Sequence, residues 1–295
     1  MKEMDYVVVA TARGGQVAAY AATTRGLVEE MRRRHDTWPV VTAALGRVAT
    51  VGAILTSTLK EERHQITLQV NGDGPAGRIL VVATGTGDIR GYADEPHVHL
   101  PLNERNKLDV SGAVGKNGSL YVIKDLGLKE PYRGMVPITS GEIGEDFTYY
   151  FAVSEQTPSA VAVGVLVDVD LSVLAAGGIL IHILPGAHDQ DIAELEQILS
   201  DLPAVSSLLR DGLTPEDILY RVFPRDLRIL ERKEVRFQCN CGKDRLGRVL
   251  ISLGKQELEN LIEEQGHAEL VCHFCSEKYY FSGDELKDLR DHALS

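Results

Sequence analysis

The sequence predicts an α+β protein in three parts. A large amino-terminal domain of antiparallel sheets with flanking helices spans residues 1–186. A helical connecting segment of limited independent stability spans 187–236, and a small carboxy-terminal domain spans 237–295. Three observations carry that division. Alternating hydrophobic runs separated by glycine-rich turns fill residues 65–124, without the regular strand–helix–strand rhythm of a parallel sheet. Pro185-Gly186-Ala187 is followed by helical patterns each too short to stand alone. All four cysteines then fall in the last sixty residues, two by two.

Taken in order, Asp5 to Thr11 reads as a buried strand, with Tyr-Val-Val-Val-Ala held between polar residues. Gln16 to Arg34 has helical spacing and ends in the basic run Arg32-Arg33-Arg34, read as a solvated helix end. Pro39 stands where a second helix starts, and Val40 to Leu59 continues it with small residues on the packed side. The runs Gln65–Val70, Arg78–Ala83, Asp88–Ala93 and Ser119–Lys124 predict an antiparallel meander, with turns at Asn71-Gly72-Asp73-Gly74, Gly85-Thr86-Gly87 and Lys116-Asn117-Gly118. Thr139-Ser140-Gly141-Glu142 fits a capping box for a helix running to about Glu155. Ala160 to Leu184 is the most apolar region, but Asp168, Asp170 and His182 interrupt it. It reads as two buried strands, Ala160–Val167 and Gly178–Leu184, and not as a membrane span.

Short helices are predicted at Asp189–Ser200, Ala204–Asp211 and Pro215–Phe223, the last capped by Thr214. Arg221 to Arg236 then brings six basic residues up to the first cysteine pair. Farther on, an amphipathic helix at Gln256–Glu264 is ended by Gly266, and Tyr279-Tyr280-Phe281 predicts a short strand. Ser282-Gly283-Asp284-Glu285 is a second capping box, for a helix to about Ala293.

A net charge of −12 argues against broad binding to nucleic-acid phosphates. Met1 to Asp5 lacks the apolar core of a signal peptide, so the expected compartment is the reducing cytoplasm, where paired cysteines mean metal or redox chemistry. Gly72-Asp73-Gly74-Pro75-Ala76-Gly77 matches G-x-G-x-x-G, but it leads into a strand and contains a proline. It is a hairpin turn and not a dinucleotide site. His97 and His99 alternate on one face of an extended segment as candidate ligands, without acidic or cysteine partners nearby in sequence. No nucleophile–histidine–acid spacing, H-E-x-x-H or Walker motif is present, so no catalytic residues are predicted and the chain reads as a non-enzyme.

The chemistry lies in Cys239-Asn240-Cys241 and Cys272-His273-Phe274-Cys275. Two pairs flanking one small folded segment are what a tetrahedral four-thiolate zinc site needs, giving one Zn2+ on Cys239, Cys241, Cys272 and Cys275. His267 and His273 are close enough in sequence to support that shell, which four cysteines already complete. Zinc holds its ligands as thiolates, the form oxidants attack. Losing two ligands loses the metal and the folding energy it supplies. A connecting segment leaning on that domain would then loosen and uncover apolar surface.

Phe237-Gln238-Cys239-Asn240-Cys241, Leu250-Ile251-Ser252-Leu253-Gly254 and Val271-Cys272-His273-Phe274-Cys275 resemble the zinc module of the redox-regulated 33-kDa heat-shock chaperone family. Asn71-Gly72-Asp73-Gly74-Pro75, Lys124-Asp125-Leu126-Gly127, Lys129-Glu130-Pro131-Tyr132 and the stretch from Tyr149 to Ser159 extend the likeness along the chain. The resemblance implies a cytoplasmic, ATP-independent holdase, inactive when reduced and zinc-bound. Oxidation would form Cys239–Cys241 and Cys272–Cys275 disulfides, release zinc, unfold the connecting segment and allow homodimerisation. The partners implied are unfolding client proteins, passed on to ATP-dependent chaperones. Two rival readings remain at this level. One is a nucleic-acid-binding zinc ribbon, favoured only by the basic run before Cys239. The other is an enzyme with a purely structural zinc.

Overall fold

In chain order the elements are β1 (Tyr6–Ala12), β2 (Val17–Thr23), α1 (Arg25–His35), α2 (Pro39–Thr56), β3 (Gln65–Asn71), β4 (Arg78–Thr84), β5 (Asp88–Ala93), α3 (Val110–Val114), β6 (Ser119–Asp125), β7 (Tyr132–Pro137) and α4 (Gly144–Val153). They continue with β8 (Ser159–Val167), β9 (Val173–Ile183), α5 (Asp189–Ser200), α6 (Val205–Arg210), α7 (Pro215–Val222), β10 (Arg228–Glu234) and β11 (Arg236–Phe237). After these come α8 (Lys243–Ile251), α9 (Lys255–Glu264), β12 (His267–Val271), β13 (Lys278–Ser282) and α10 (Gly283–His292). The computed structural model describes residues 4–186 and 189–292. The chain divides into two units, one ending at Gln238 and the other beginning at Cys239.

The larger unit holds two sheets. The first is antiparallel with strand order β10-β1-β2-β9-β8; the second runs β11-β5-β4-β3-β6-β7, with only β11 parallel to its neighbour. Apolar residues on every side of α2 make it a core helix, and it packs against both sheets. Among the described residues it is the one helix long and apolar enough to cross a membrane, and it is buried inside the fold. Gly46 is required there, because a Cβ would come within 2.7 Å of Val28 and 2.9 Å of Val165. The outer face of the first sheet carries a second core. Val8, Ala10 and Ile181 of the sheet meet Leu208, Leu219 and Phe223 of the α5–α7 segment.

Several elements differ from the sequence expectations for physical reasons. The helix expected from Gln16 is instead β2 followed by α1. Val17-Ala18-Ala19-Tyr20-Ala21-Ala22-Thr23 favours helix by propensity, but β2 lies at the centre of a sheet with α2 on one face and α7 on the other. Tertiary packing there selects small side chains and overrides propensity. The second sheet is not a plain meander, since β6 returns to pair with β3 and places β3 between β4 and β6.

The helix expected at Thr139 starts at Gly144. The buried Asp146 carboxylate caps it by accepting from the backbone N–H groups of Thr139 (2.8 Å), Ser140 (2.9 Å) and Ile143 (3.0 Å). Strand β9 begins five residues before the expected Gly178. The hairpin at Gly72–Gly77 joins β3 to β4 as expected. Its glycines are imposed by α3, whose Val114 and Ala113 carbonyls would lie 2.1 and 2.4 Å from a Cβ at Gly72 and Gly74. The basic run at Arg32–Arg34 closes α1 through ion pairs to Glu29 and Glu30 one turn back. The expected helices at 189–200, 204–211 and 215–223 form with the bounds given above. Thr214 and Asp217 complete a reciprocal cap on α7.

Candidate metal centre

The smaller unit is built on very little apolar material. Leu250, Leu258, Ala268, Phe281 and Leu286 are its buried core, wrapped by α8, α9, α10 and the β12–β13 hairpin. The capping box at Ser282 forms as expected, the Glu285 carboxylate accepting from Ser282 N at 2.9 Å, and Gly266 ends α9 with φ +70°. Helix α8 and strand β12 carry no strong sequence signal and are found only in the structure.

Two turns deliver the cysteines. Cys239 and Cys241 lie between the end of β11 and the start of α8. Cys272 and Cys275 lie in the turn between β12 and β13. There Cys272 N donates to Glu277 O (2.9 Å), Ser276 N donates to Cys272 O (2.8 Å), and Ser276 takes the left-handed φ of +56° that reverses the chain. All four Sγ atoms lie within 4.8 Å of one another. Cys239 Sγ is 3.8 Å from Cys272 Sγ, and Cys241 Sγ is 3.3 Å from Cys275 Sγ. Metal–sulfur bonds of about 2.3 Å in a tetrahedron place sulfurs about 3.8 Å apart, so this donor set is compatible with a tetrahedral thiolate site. None of the four cysteines is in a disulfide.

The electrostatics explain why such a cluster suits a cation. Burial pushes the Cys239 thiol up to about 11 and raises Cys275 as well. Burial acts the same way on Cys241 but is outweighed there, first by a hydrogen bond from the Tyr279 hydroxyl (3.2 Å) and then by the neighbouring thiols. Cys241 is therefore held below its ordinary value. Four thiols crowded together resist becoming thiolates unless positive charge sits among them. Tyr279 is the participant that sequence reading took only for a strand residue; its position shortly after Cys275 was the available signal.

Among the described residues, no other group of three or more histidine, cysteine or acidic side chains is drawn together as metal ligands. His267 stacks on Tyr280 at 5.4 Å, and neither it nor His273 joins the cluster. His97 pairs with Asp36 (3.1 Å), and both His97 and His99 lie against Trp38.

The comparisons agree along the whole chain. The family model described as "Hsp33 protein" matches residues 5–282. A 33 kDa chaperonin of Geobacillus sp. (strain WCH70) is 50% identical over 290 residues, which cover 98% of each chain. The 33 kDa chaperonin of Bacillus subtilis (strain 168) is 50% identical over 288 residues, 98% of this chain and 99% of that one. The crystal structure of a 33 kDa chaperonin (heat shock protein 33 homolog) from Thermotoga maritima superposes with a TM-score of 0.92 at 38% identity, covering 98% of this chain and 99% of that one.

Proposed function

The chain belongs to the Hsp33 family, and on that premise we propose that it is a redox-regulated, ATP-independent holdase for unfolding proteins in the cytoplasm, with no catalytic site. The observation that carries this reading is the convergence of four thiols on one point in a unit whose described residues place five buried apolar side chains at its centre. A core that small depends on a cross-link for its fold. Bound zinc supplies the positive charge that lets four thiolates share the space and ties the Cys239–Cys241 turn to the β12–β13 hairpin.

Oxidation then acts on neighbours. In each pair, two thiolates, one hypochlorous acid molecule and one proton give one disulfide, chloride and water. With hydrogen peroxide and two protons, the products are the disulfide and two waters. The resulting Cys239–Cys241 and Cys272–Cys275 bonds are local, and neither staples the unit together. Residues 189–236 lead toward Cys239 and carry three short helices and the charged strand β10. In this reading they loosen when the unit melts and uncover the apolar outer face of the first sheet, and the activated protein dimerises. Clients held there pass to ATP-dependent chaperones.

The test treats reduced, zinc-loaded protein with hypochlorite while zinc release is followed with a chromogenic chelator and aggregation of a denatured client by light scattering. Zinc loss and holdase activity are expected to rise together and to reverse with thiol reductant. Zinc loss without client protection sinks the reading.

A further inference from the structure

Strand β1 reads Tyr-Val-Val-Val-Ala-Thr-Ala, seven residues with no charge. Such a strand left at the edge of a sheet is a template for further pairing. It is covered by β10, which pairs with it antiparallel from Tyr6↔Glu234 to Thr11↔Arg228. Five of the seven β10 residues are charged, and most of the strand is solvent-exposed, so β10 closes the sheet with an edge that repels additional strands. The other edges of the larger unit's two sheets are short or partly blunted. Thr148 of α4 takes the Val161 N–H of β8 at 3.0 Å, β7 ends in Pro137, and β11 covers only Asp88 and Ile89 of β5.

We propose that β1 is the client-docking edge of the activated protein, and that its occupant is an extended segment of unfolding polypeptide added as a strand in the place β10 vacates. This rests on the holdase reading above, and it assigns that reading a site and a mode of recognition. Because Asp5 O accepts from Val235 N (3.0 Å), the alternation of an antiparallel pair turns the main chains of Val7 and Val9 toward β10. Those backbone groups would bind any extended chain, whatever its sequence. The side chains of the added strand alternate between the outer face, where Ile229 of β10 packs with Val8 and Ala10 at rest, and the opposite face, where Lys233 Nζ donates to Thr56 O (2.7 Å) at the end of α2. Clients with alternating apolar residues are therefore preferred over those with helical periodicity.

The test uses the full-length protein oxidised with hypochlorite. The probes are a short synthetic peptide of alternating valine and threonine with terminal lysines, and its twin N-methylated at every second residue. The twin keeps the side chains but loses the donors of one edge. The plain peptide is expected to bind roughly tenfold or more tightly than the twin, since a few main-chain hydrogen bonds separate them. It alone should restore hydrogen-exchange protection to the Val7 and Val9 amides. Equal binding of the two peptides by protein that still suppresses client aggregation overturns strand addition and leaves the holdase standing. Protection of β1 in oxidised protein without any peptide, accompanied by dimer formation, also overturns it by giving the edge to a second copy. If the oxidised protein neither holds clients nor binds either peptide, the holdase reading itself fails.

Discussion

Asp5 shows what a single buried carboxyl does to this fold. Its side chain accepts from Leu27 N (2.6 Å) and Gly26 N (3.2 Å) at the start of α1, yet burial outweighs those bonds and pushes it up to about 6 from 3.8. The folded chain thus holds a proton that the unfolded chain has released between those two values. Its contribution is fully present below about pH 4 and is lost as pH rises through about 6, by up to about 3 kcal/mol. Asp5→Asn removes that slope. In urea unfolding, the stability gap between variant and parent should move toward the variant between about pH 4 and about pH 7; a gap independent of pH would contradict the assignment. At Cys239 the expectation is simpler. Cys239→Ser removes one sulfur from a set of four and should weaken zinc affinity by well over tenfold in a chelator competition, leaving the protein partly open. Unchanged affinity would show that this residue is not a ligand. These cysteines were fully legible in the sequence because their chemistry and confinement need no tertiary information. Tyr279 was not, since a hydroxyl reaching a sulfur is a matter of three-dimensional placement.

At the scale of elements, α7 is the anchor of the α5–α7 segment. Glu216 is 6% exposed; it accepts from the Tyr6 hydroxyl (2.9 Å) and pairs with Arg232 of β10 (2.5 Å). One carboxylate thereby joins α7, β1 and β10, and burial together with Glu216 pushes the Tyr6 hydroxyl up to about 12. Glu216→Ala should cost about 2 kcal/mol, chiefly by leaving the part-buried Tyr6 hydroxyl without its acceptor, since Arg232 stays largely solvated. The loss should appear as faster hydrogen exchange in α7 and β10 with α2 unchanged, and as activation at a lower oxidant dose. Uniform exchange across all three elements would argue against a local anchor. Strands and helices with strong periodicity, such as β3, β4, α2 and α9, could be read from sequence. Strand β2 hid behind alanine, and β10 behind its charges, because edge and centre positions are properties of the assembled sheet. The capping signal at Thr139 pointed to the right helix but the wrong residue, since the cap comes from Asp146 inside the helix.

For the whole molecule, the two units differ in what sustains them. The larger has two sheets around a buried helix and a second core on the outer face of the first sheet, while the described residues of the smaller hold five buried apolar side chains and four thiols. Structural zinc sites in small domains contribute on the order of 10 kcal/mol or more to folding. Stripping zinc with a strong chelator under reducing conditions should therefore abolish hydrogen-exchange protection between residues 239 and 292. The amides of α2 should stay protected. Retained protection in the smaller unit after complete metal removal would mean that its core suffices without the metal.

The pairing of β10 with β1 has a kinetic corollary. A strand tethered to the edge it pairs with competes at an effective concentration on the order of millimolar. On the strand-addition proposal, a passing chain with weak affinity for that edge would not displace it, and the resting protein would need no separate inhibitor. The same tether works in reverse during recovery. On that proposal, a refolded cysteine unit would return β10 to register, and any client segment still lodged there would meet a competitor that never diffuses away. Reduction would thereby loosen the cargo's hold on the β1 edge and so favour its hand-over.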